Sequence, residues 1–301
     1  MDTPQLLDHC VFPDQPVLHL AVSGGADSLS MALLALESSR HVELHHVDHH
    51  ARENSGEDRV FVEEWGRRHG VRVHSYDVWV SPGANFEARA RAQRRAVLPR
   101  EVLTGHTADD VAETFLLNLL RGAATTGLGV SEVATMPLRR LRRVDVREWL
   151  TARGESWRED PSNLDLSLRR NRVRHEVIPL LALVGERDVT PLLVRTAEQL
   201  SLDREYLHEI SGPDFSRDLG EVDCRELATW TTARRHLWLR FHLAERDEFG
   251  DLHPPTRAEV TRADEVVLGR VRACELSGGR RFERRARRLS VSPTSGYADQ
   301  S

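Results

Sequence analysis

The stretch Leu18 to Leu36, LHLAVSGGADSLSMALLAL, constrains this chain more than any other. Leu18, Leu20, Ala21 and Val22 form an apolar run with no polar face, the pattern of a short strand buried on both sides. Ser23, Gly24, Gly25, Ala26, Asp27 and Ser28 then turn the chain, and Leu29 to Leu36 continue as an apolar helix. A glycine pair between strand and helix lets the backbone approach a ligand and aim successive N–H groups at it. The positive end of the helix lies just behind, so the turn is a ready anion site. Ser23 and Ser28 add hydroxyls, and Asp27 adds a carboxylate suited to holding Mg²⁺ against phosphates. The same residues are also ordinary capping chemistry before a helix. The lysine-bearing loop GxxxxGK[ST] and the dinucleotide pattern GxGxxG are both absent.

Strand and helix patterns alternate onward from this unit. Strands are expected at His41–Val47, Val71–Val80 and Val102–Thr104, and helices at Glu57–Gly70, Asn85–Leu98 and Ala108–Leu120. Such alternation predicts an α/β fold with a doubly wound, Rossmann-like parallel sheet. Ligands of such sheets sit at the carboxyl ends of the strands, where SGGADS, VDHH and TGHTADD all fall. Beyond Thr125 the spacing predicts a helix over Val144–Arg153 and a polar turn at Trp157–Asn163. A helix over Arg169–Leu183, interrupted by Pro179, and a long amphipathic helix over Leu192–Ile210 follow. Gly212 and Pro213 end that helix and mark a domain boundary. The expected division is a catalytic domain at 1–183, a linking helix at 184–212 and a smaller α+β domain at 213–301. That last domain should hold a helix around Ala228–Ala244 and strands at Val266–Ala273 and Leu289–Val291.

A net charge of −5 argues against a protein that coats nucleic acid indiscriminately. The sequence holds no lysine, so all 42 basic residues are arginine, the better bidentate partner for phosphate. A GC-rich genome gives the same bias, so the local clusters carry more: Arg139, Arg140, Arg142 and Arg143; Arg169, Arg170, Arg172 and Arg174; and the run around Arg280 to Arg288. With no run of 18 apolar residues and no charged-then-apolar leader, a soluble, cytoplasmic protein without a membrane partner is expected. Cys10, Cys224 and Cys274 form no CxxC pair and no zinc pattern.

Taken singly, the remaining polar groups are ambiguous. His46 and His49 read equally as satisfied histidines, and Asp109, Asp110 and Glu113 as acidic residues complementing a helix dipole. Glu87, Arg91 and Arg94 read as solvated helix pairs. Their order is what discriminates. SGGADS resembles the SGGxDS loop of the ATP-pyrophosphatase (PP-loop) superfamily. The succession VDHHAR, NFEARARAQR, TGHTADDVAETFLLNLLRG, GLG, PLRRLRR, WREDPSN and RRNRVRHEVIPLL resembles the tRNA(Ile)-lysidine synthases over roughly residues 17–210. WREDPSN and RRNRVRHEVIPLL are the specific part, and the length resembles the short form of that family.

The resemblance implies ATP-dependent ligation of free L-lysine to carbon 2 of the wobble cytidine of tRNA(Ile) with a CAU anticodon. The route is an adenylated cytidine, and lysidine, AMP and pyrophosphate are the products. ATP and Mg²⁺ are the implied cofactors, and a homodimer is the implied assembly. By the resemblance, Ser23, Gly24, Gly25, Ala26, Asp27 and Ser28 hold ATP phosphates, with His49 and His106 near the nucleotide. Asp27 is the expected metal ligand. Asp110 and Glu113, with Arg91 and Arg121, would serve the chemistry. Arg94, Glu159, Asp160, Ser162, Asn163, Arg170, Asn171 and Arg174 would line the substrate side. The C-terminal domain would contact tRNA.

Three departures stand out: Arg95 where an aromatic is usual, MPLR (Met136 to Arg139) where RPLL is usual, and a short segment between Gly127 and Pro137. Two other readings compete. A 2-thiolating PP-loop enzyme would use a cysteine pair, which this chain lacks. A non-catalytic anticodon-binding paralogue would be expected to erode SGGADS and the Asp110/Glu113 pair, which are complete.

Overall fold

The computed structural model describes residues 1–48, 50, 55–79, 86–123, 125–129, 135–211, 218–246 and 252–294. His49 lies outside them, as do the side chains of Arg91 and Ser162. The chain divides into two units, Met1–Glu205 and Tyr206–Ser301.

The first unit opens with α1 (Thr3–His9), β1 (Leu18–Ala21), α2 (Ala26–Glu37), β2 (Val42–Asp48) and α3 (Ser55–Arg68). It continues through β3 (Arg72–Asp77), α4 (Phe86–Val97), β4 (Leu103–Thr104) and α5 (Ala108–Leu120). The four strands are parallel, in the order β3-β2-β1-β4. The connections therefore reverse direction between β1 and β4. A crevice opens outside the carboxyl ends at such a reversal. The loops leaving β1 and β4 are SGGADS and TGHTADD.

Leu18, Leu20, Leu44 and Leu103 from the strands and Leu29, Met31 and Leu34 from α2 are at most 1% exposed, and Trp65, Leu138 and Leu150 complete the same core. Truncating one such leucine to alanine removes roughly 2–5 kcal/mol. α2 begins two residues before Ser28, so the last residues of the SGGADS loop, Asp27 and Ser28, also form its first turn.

α6 (Thr125–Leu128) and α7 (Arg143–Ala152) follow, then a 3₁₀ turn at Pro161–Leu164. The helix expected from Arg169 onward is three pieces: α8 (Arg169–Arg172), one π-helical turn at Val173–Val177, and α9 (Ile178–Gly185). Pro179 sits in the first turn of α9. Because it has no N–H to give the preceding turn, the ladder widens ahead of the proline rather than breaking at it. α10 (Thr190–Ser211) crosses from the first unit into the second.

The second unit holds α11 (Cys224–Thr229), α12 (Thr232–His242), the short antiparallel pair β5 (Glu245–Arg246) and β6 (Leu252–His253), and α13 (Arg257–Val267). An antiparallel meander of β7 (Ala273–Leu276), β8 (Arg280–Arg285) and β9 (Arg288–Pro293) completes it. The strand expected at Val266–Ala273 is not one. Val266 and Val267 are the buried end of α13, whose Thr256–Glu259 capping box fixes its start, and the strand begins only at Ala273. Two apolar residues ending an amphipathic helix look like the start of a strand when the cap eleven residues earlier is overlooked. Among the described residues no helix is long and apolar enough to cross a membrane.

Candidate active site

Three helix N-termini converge outside β1 and β4. Asp27 lies in the first turn of α2, Asp109 and Asp110 in that of α5, and Arg143 is the first residue of α7. The α2 end has no side-chain cap, so its backbone N–H groups and partial positive charge favour an anion.

The phosphate loop is held by its own hydroxyls. The Ser23 amide donates to Ser28 Oγ at 3.3 Å, and Ser28 Oγ donates to the Gly25 carbonyl at 2.9 Å. Gly24 has φ +86°, a conformation that glycine adopts without strain, and a β-carbon there would meet Phe61 at 3.3 Å. Gly25 is the N-cap of α2 and has no side chain to occupy the free helix donors. Arg158, from WREDPSN, closes the loop from outside. Its amide donates to the Gly24 carbonyl at 2.9 Å, and its guanidinium pairs with Asp58 and Glu57 of α3.

Arg143 ties the three ends together. Its Nε donates to Asp27 Oδ2 at 2.8 Å, its Nη2 to Asp110 Oδ1 at 2.8 Å and its Nη1 to Glu113 Oε1 at 3.3 Å. Asp109 accepts the Arg143 amide at 2.7 Å and the Arg142 guanidinium at 3.0 Å, which caps α7. Asp110 Oδ2 accepts from the Thr107 amide and hydroxyl, both at 2.9 Å, and so caps its own helix. Glu113 is fully buried and accepts from Arg170 Nε at 2.8 Å and Arg174 Nε at 2.6 Å besides Arg143.

These contacts set the charge states. Burial alone would raise Asp110, but Arg143, His106 and Arg170 and the Thr107 amide outweigh it and hold the carboxyl at about 2. At Asp27 the balance falls the other way: burial lifts the carboxyl above its ordinary value despite Arg143. Asp27 Oδ1 is buried and makes no hydrogen bond, with Arg147 Nε the nearby cation at 3.8 Å. A half-satisfied carboxylate beside an anion-binding loop suits a hard divalent cation.

The expected site residues do not all gather in one place. Ser23, Gly24, Gly25, Ala26, Asp27, Ser28, Asp110, Glu113, Arg170 and Arg174 are gathered by the loop and the Arg143 cluster. His106 sits beside them with its Nδ1 2.7 Å from Thr104 Oγ1, and Glu159 is linked through Arg147, which lies 3.5 Å from it. Asn171 turns inward, donating to the Asp165 carbonyl at 2.9 Å, and the carbonyls of Asp160 and Asn163 shape the EDPSN turn and its contact with His175. Arg121 stands apart. It caps the far end of α5, about 16 Å along the helix from Asp110, in a hollow with Arg169 and Arg172. Arg94 is exposed on α4.

The residue that sequence reasoning undervalued is Arg143, grouped there with a general basic run. A signal existed: a cation at the first position of a helix opposes the dipole, so it needs a stronger partner elsewhere. Asp27, Asp110 and Glu113 are that partner.

Comparison with known proteins places the chain in a family. A family profile described as a PP-loop domain matches residues 4–181. A tRNA(Ile)-lysidine synthase of Salinispora tropica is 33% identical, over 93% of this chain and 91% of that one. The chain belongs to the tRNA(Ile)-lysidine synthase family. The family member of Thermus thermophilus is 41% identical over 60% of this chain, but the match spans only 39% of that relative's length. A solved U34-tRNA thiolase of Methanococcus maripaludis shares the fold, with a TM-score of 0.54 at 16% identity over 66% of this chain and 77% of that one.

Proposed function

We propose that this chain uses ATP to adenylate the carbon-2 oxygen of the wobble cytidine in a CAU-anticodon isoleucine tRNA, then joins L-lysine to that carbon. The cytidine oxygen attacks the α-phosphorus and pyrophosphate leaves. A lysine amine then attacks carbon 2 and AMP leaves with the oxygen. The single observation that carries this reading is the Arg143 node, which couples the phosphate-loop carboxylate of Asp27 to Asp110 and Glu113 in a chain of this family.

The α2 N-terminus, Ser23 and Ser28 bind the ATP phosphates, and Arg143 stabilises negative charge as it develops on them. Asp27 would hold Mg²⁺ through its unpaired oxygen, the ion supplying Lewis-acid stabilisation of the phosphates. Asp110, ionised at any physiological pH, contributes fixed negative charge that attracts the lysine ammonium. Glu113, with both oxygens taken by arginines, positions Arg143, Arg170 and Arg174 rather than touching substrate. The second unit contributes tRNA contacts, and the working form is a homodimer. A thiolating reading finds little support: the first unit contains one cysteine, Cys10, whose thiol burial pushes up to about 12.

The test is incorporation of radiolabelled lysine into a CAU-anticodon isoleucine tRNA transcript with ATP and Mg²⁺, beside a transcript carrying uridine at the wobble position. Label in the first alone is expected, and Asp27→Asn should lower the rate at least ~100-fold with the fold intact. No label in either transcript would overturn the proposal.

A further inference from the structure

The first unit carries a second constellation that this reaction does not use, on the opposite face of the sheet from Leu20 and Leu44. Side chains alternate across a strand, so His19 of β1, Glu43 and His45 of β2, and His74 and Tyr76 of β3 share one face. The register places His19 directly opposite Glu43 and His45 opposite His74. This face of a parallel sheet would ordinarily be apolar.

Three potential ligand atoms meet here, at separations that either a hydrogen bond or a shared cation accounts for. His19 Nδ1 lies 3.0 Å from His45 Nε2 and 3.7 Å from Glu43 Oε2, and all three atoms are within 4.8 Å of one another. Ligand atoms around a tetrahedral ion with bonds of 2.0–2.1 Å stand about 3.3 Å apart, which the first two separations bracket. Each inner ligand also has an outer support. Tyr76 Oη is 3.0 Å from His45 Nδ1, which fixes that ring with Nε2 toward His19, and His74 Nε2 is 3.1 Å from Glu43 Oε2. His45 is buried, whereas a third of the His19 side chain is open to solvent, leaving room for water as a fourth ligand.

We propose that His19, Glu43 and His45 form a binding site for a borderline first-row divalent cation, Zn²⁺ by the softness of two imidazoles and one carboxylate, held in place by Tyr76 and His74. The ion pins β1 to β2, the two strands on which the phosphate loop and its neighbouring loop are mounted. The site is independent of the lysine-ligation reading, because none of its residues belongs to the Arg143 cluster.

The full chain, stripped with chelator, is titrated with Zn²⁺ and separately with Co²⁺. One equivalent of Zn²⁺ is expected, with a visible Co²⁺ spectrum of tetrahedral intensity and a rise in melting temperature that Mg²⁺ at the same concentration does not give. His19→Ala and Glu43→Gln should each weaken Zn²⁺ binding at least tenfold, and Tyr76→Phe about tenfold through the outer support. His50→Ala should leave it unchanged, since Asp48, His50 and Asp77 form a separate cluster at the strand ends. Binding that survives His19→Ala but is lost in His50→Ala overturns the proposal. So does the absence of a tetrahedral Co²⁺ spectrum in the wild-type chain, a result that no misfolded variant can produce.

Discussion

At the scale of single residues, the site is a balance between burial and pairing. Asp110 and Asp27 share one guanidinium, yet burial wins at Asp27 and the positive field wins at Asp110. The difference lies first in the surrounding charge: Arg143, His106 and Arg170 all act on Asp110, whereas Asp27 also faces the Asp110 carboxylate. Asp110 accepts from Arg143 and from two groups of Thr107, whereas one oxygen of Asp27 accepts nothing. The Asp110 carboxyl is thus lowered from 3.8 in the unfolded chain to about 2 in the folded one. Its stabilisation is fully present above about pH 4 and lost as the pH falls toward 2, because only the unfolded chain takes up the proton in that window. The expected effect is about 2 kcal/mol. Urea unfolding should show the gap between wild type and Asp110→Asn widening as the pH rises from 2 to 6. Parallel curves would show that Asp110 is not held low.

At the scale of elements, the close approach of the β4 loop to α2 keeps the carboxylates on one arginine. A β-carbon on Gly105 would lie 2.8 Å from the Asp27 carbonyl oxygen and 2.8 Å from the Ser28 α-carbon, both backbone atoms that cannot swing aside. Gly105→Ala should therefore part β4 from α2, costing roughly 1–3 kcal/mol. Turnover should fall more than stability explains, because the shift separates Asp110 from Asp27. Gly56→Ala, where nothing lies within 4 Å, is the control and should leave both unchanged. Equal turnover in the two variants would show that this contact does not set the site. The strand–loop–helix units were legible in sequence because their apolar runs are long and their glycines lie at the turns. The π turn at Val173–Val177 was not, since Pro179 signals a defect without saying where the ladder widens. Arg143 was not either, because the partners that give it meaning are 116, 33 and 30 residues away.

At the scale of the whole molecule, the two units use arginine differently. In the first, clustered arginines meet carboxylates at a site. In the second, the run RRFERR reads in sequence as one basic patch, but pairing across the meander divides it. Arg280 donates to the Ser277 and Leu243 carbonyls and pairs with Glu245 at 3.0 Å, and Arg284 donates to the Val267 carbonyl at 2.9 Å. Those two hold the unit together. Arg285 is exposed on β8 and, with Arg284 beside it and Arg270 and Arg272 across the turn after α13, lines an open hollow of about 600 Å³. Alternation decides this outcome, and a run of like residues hides it from a reader of the sequence. If the hollow receives tRNA phosphates, Arg272→Ala with Arg285→Ala should weaken tRNA binding and flatten the plot of log K against log salt by roughly 1.5 to 2. Arg280→Ala should instead lower the melting temperature and leave the salt slope alone. A slope that changes with Arg280 and not with the Arg272/Arg285 pair would move the RNA contact to the other side of the meander.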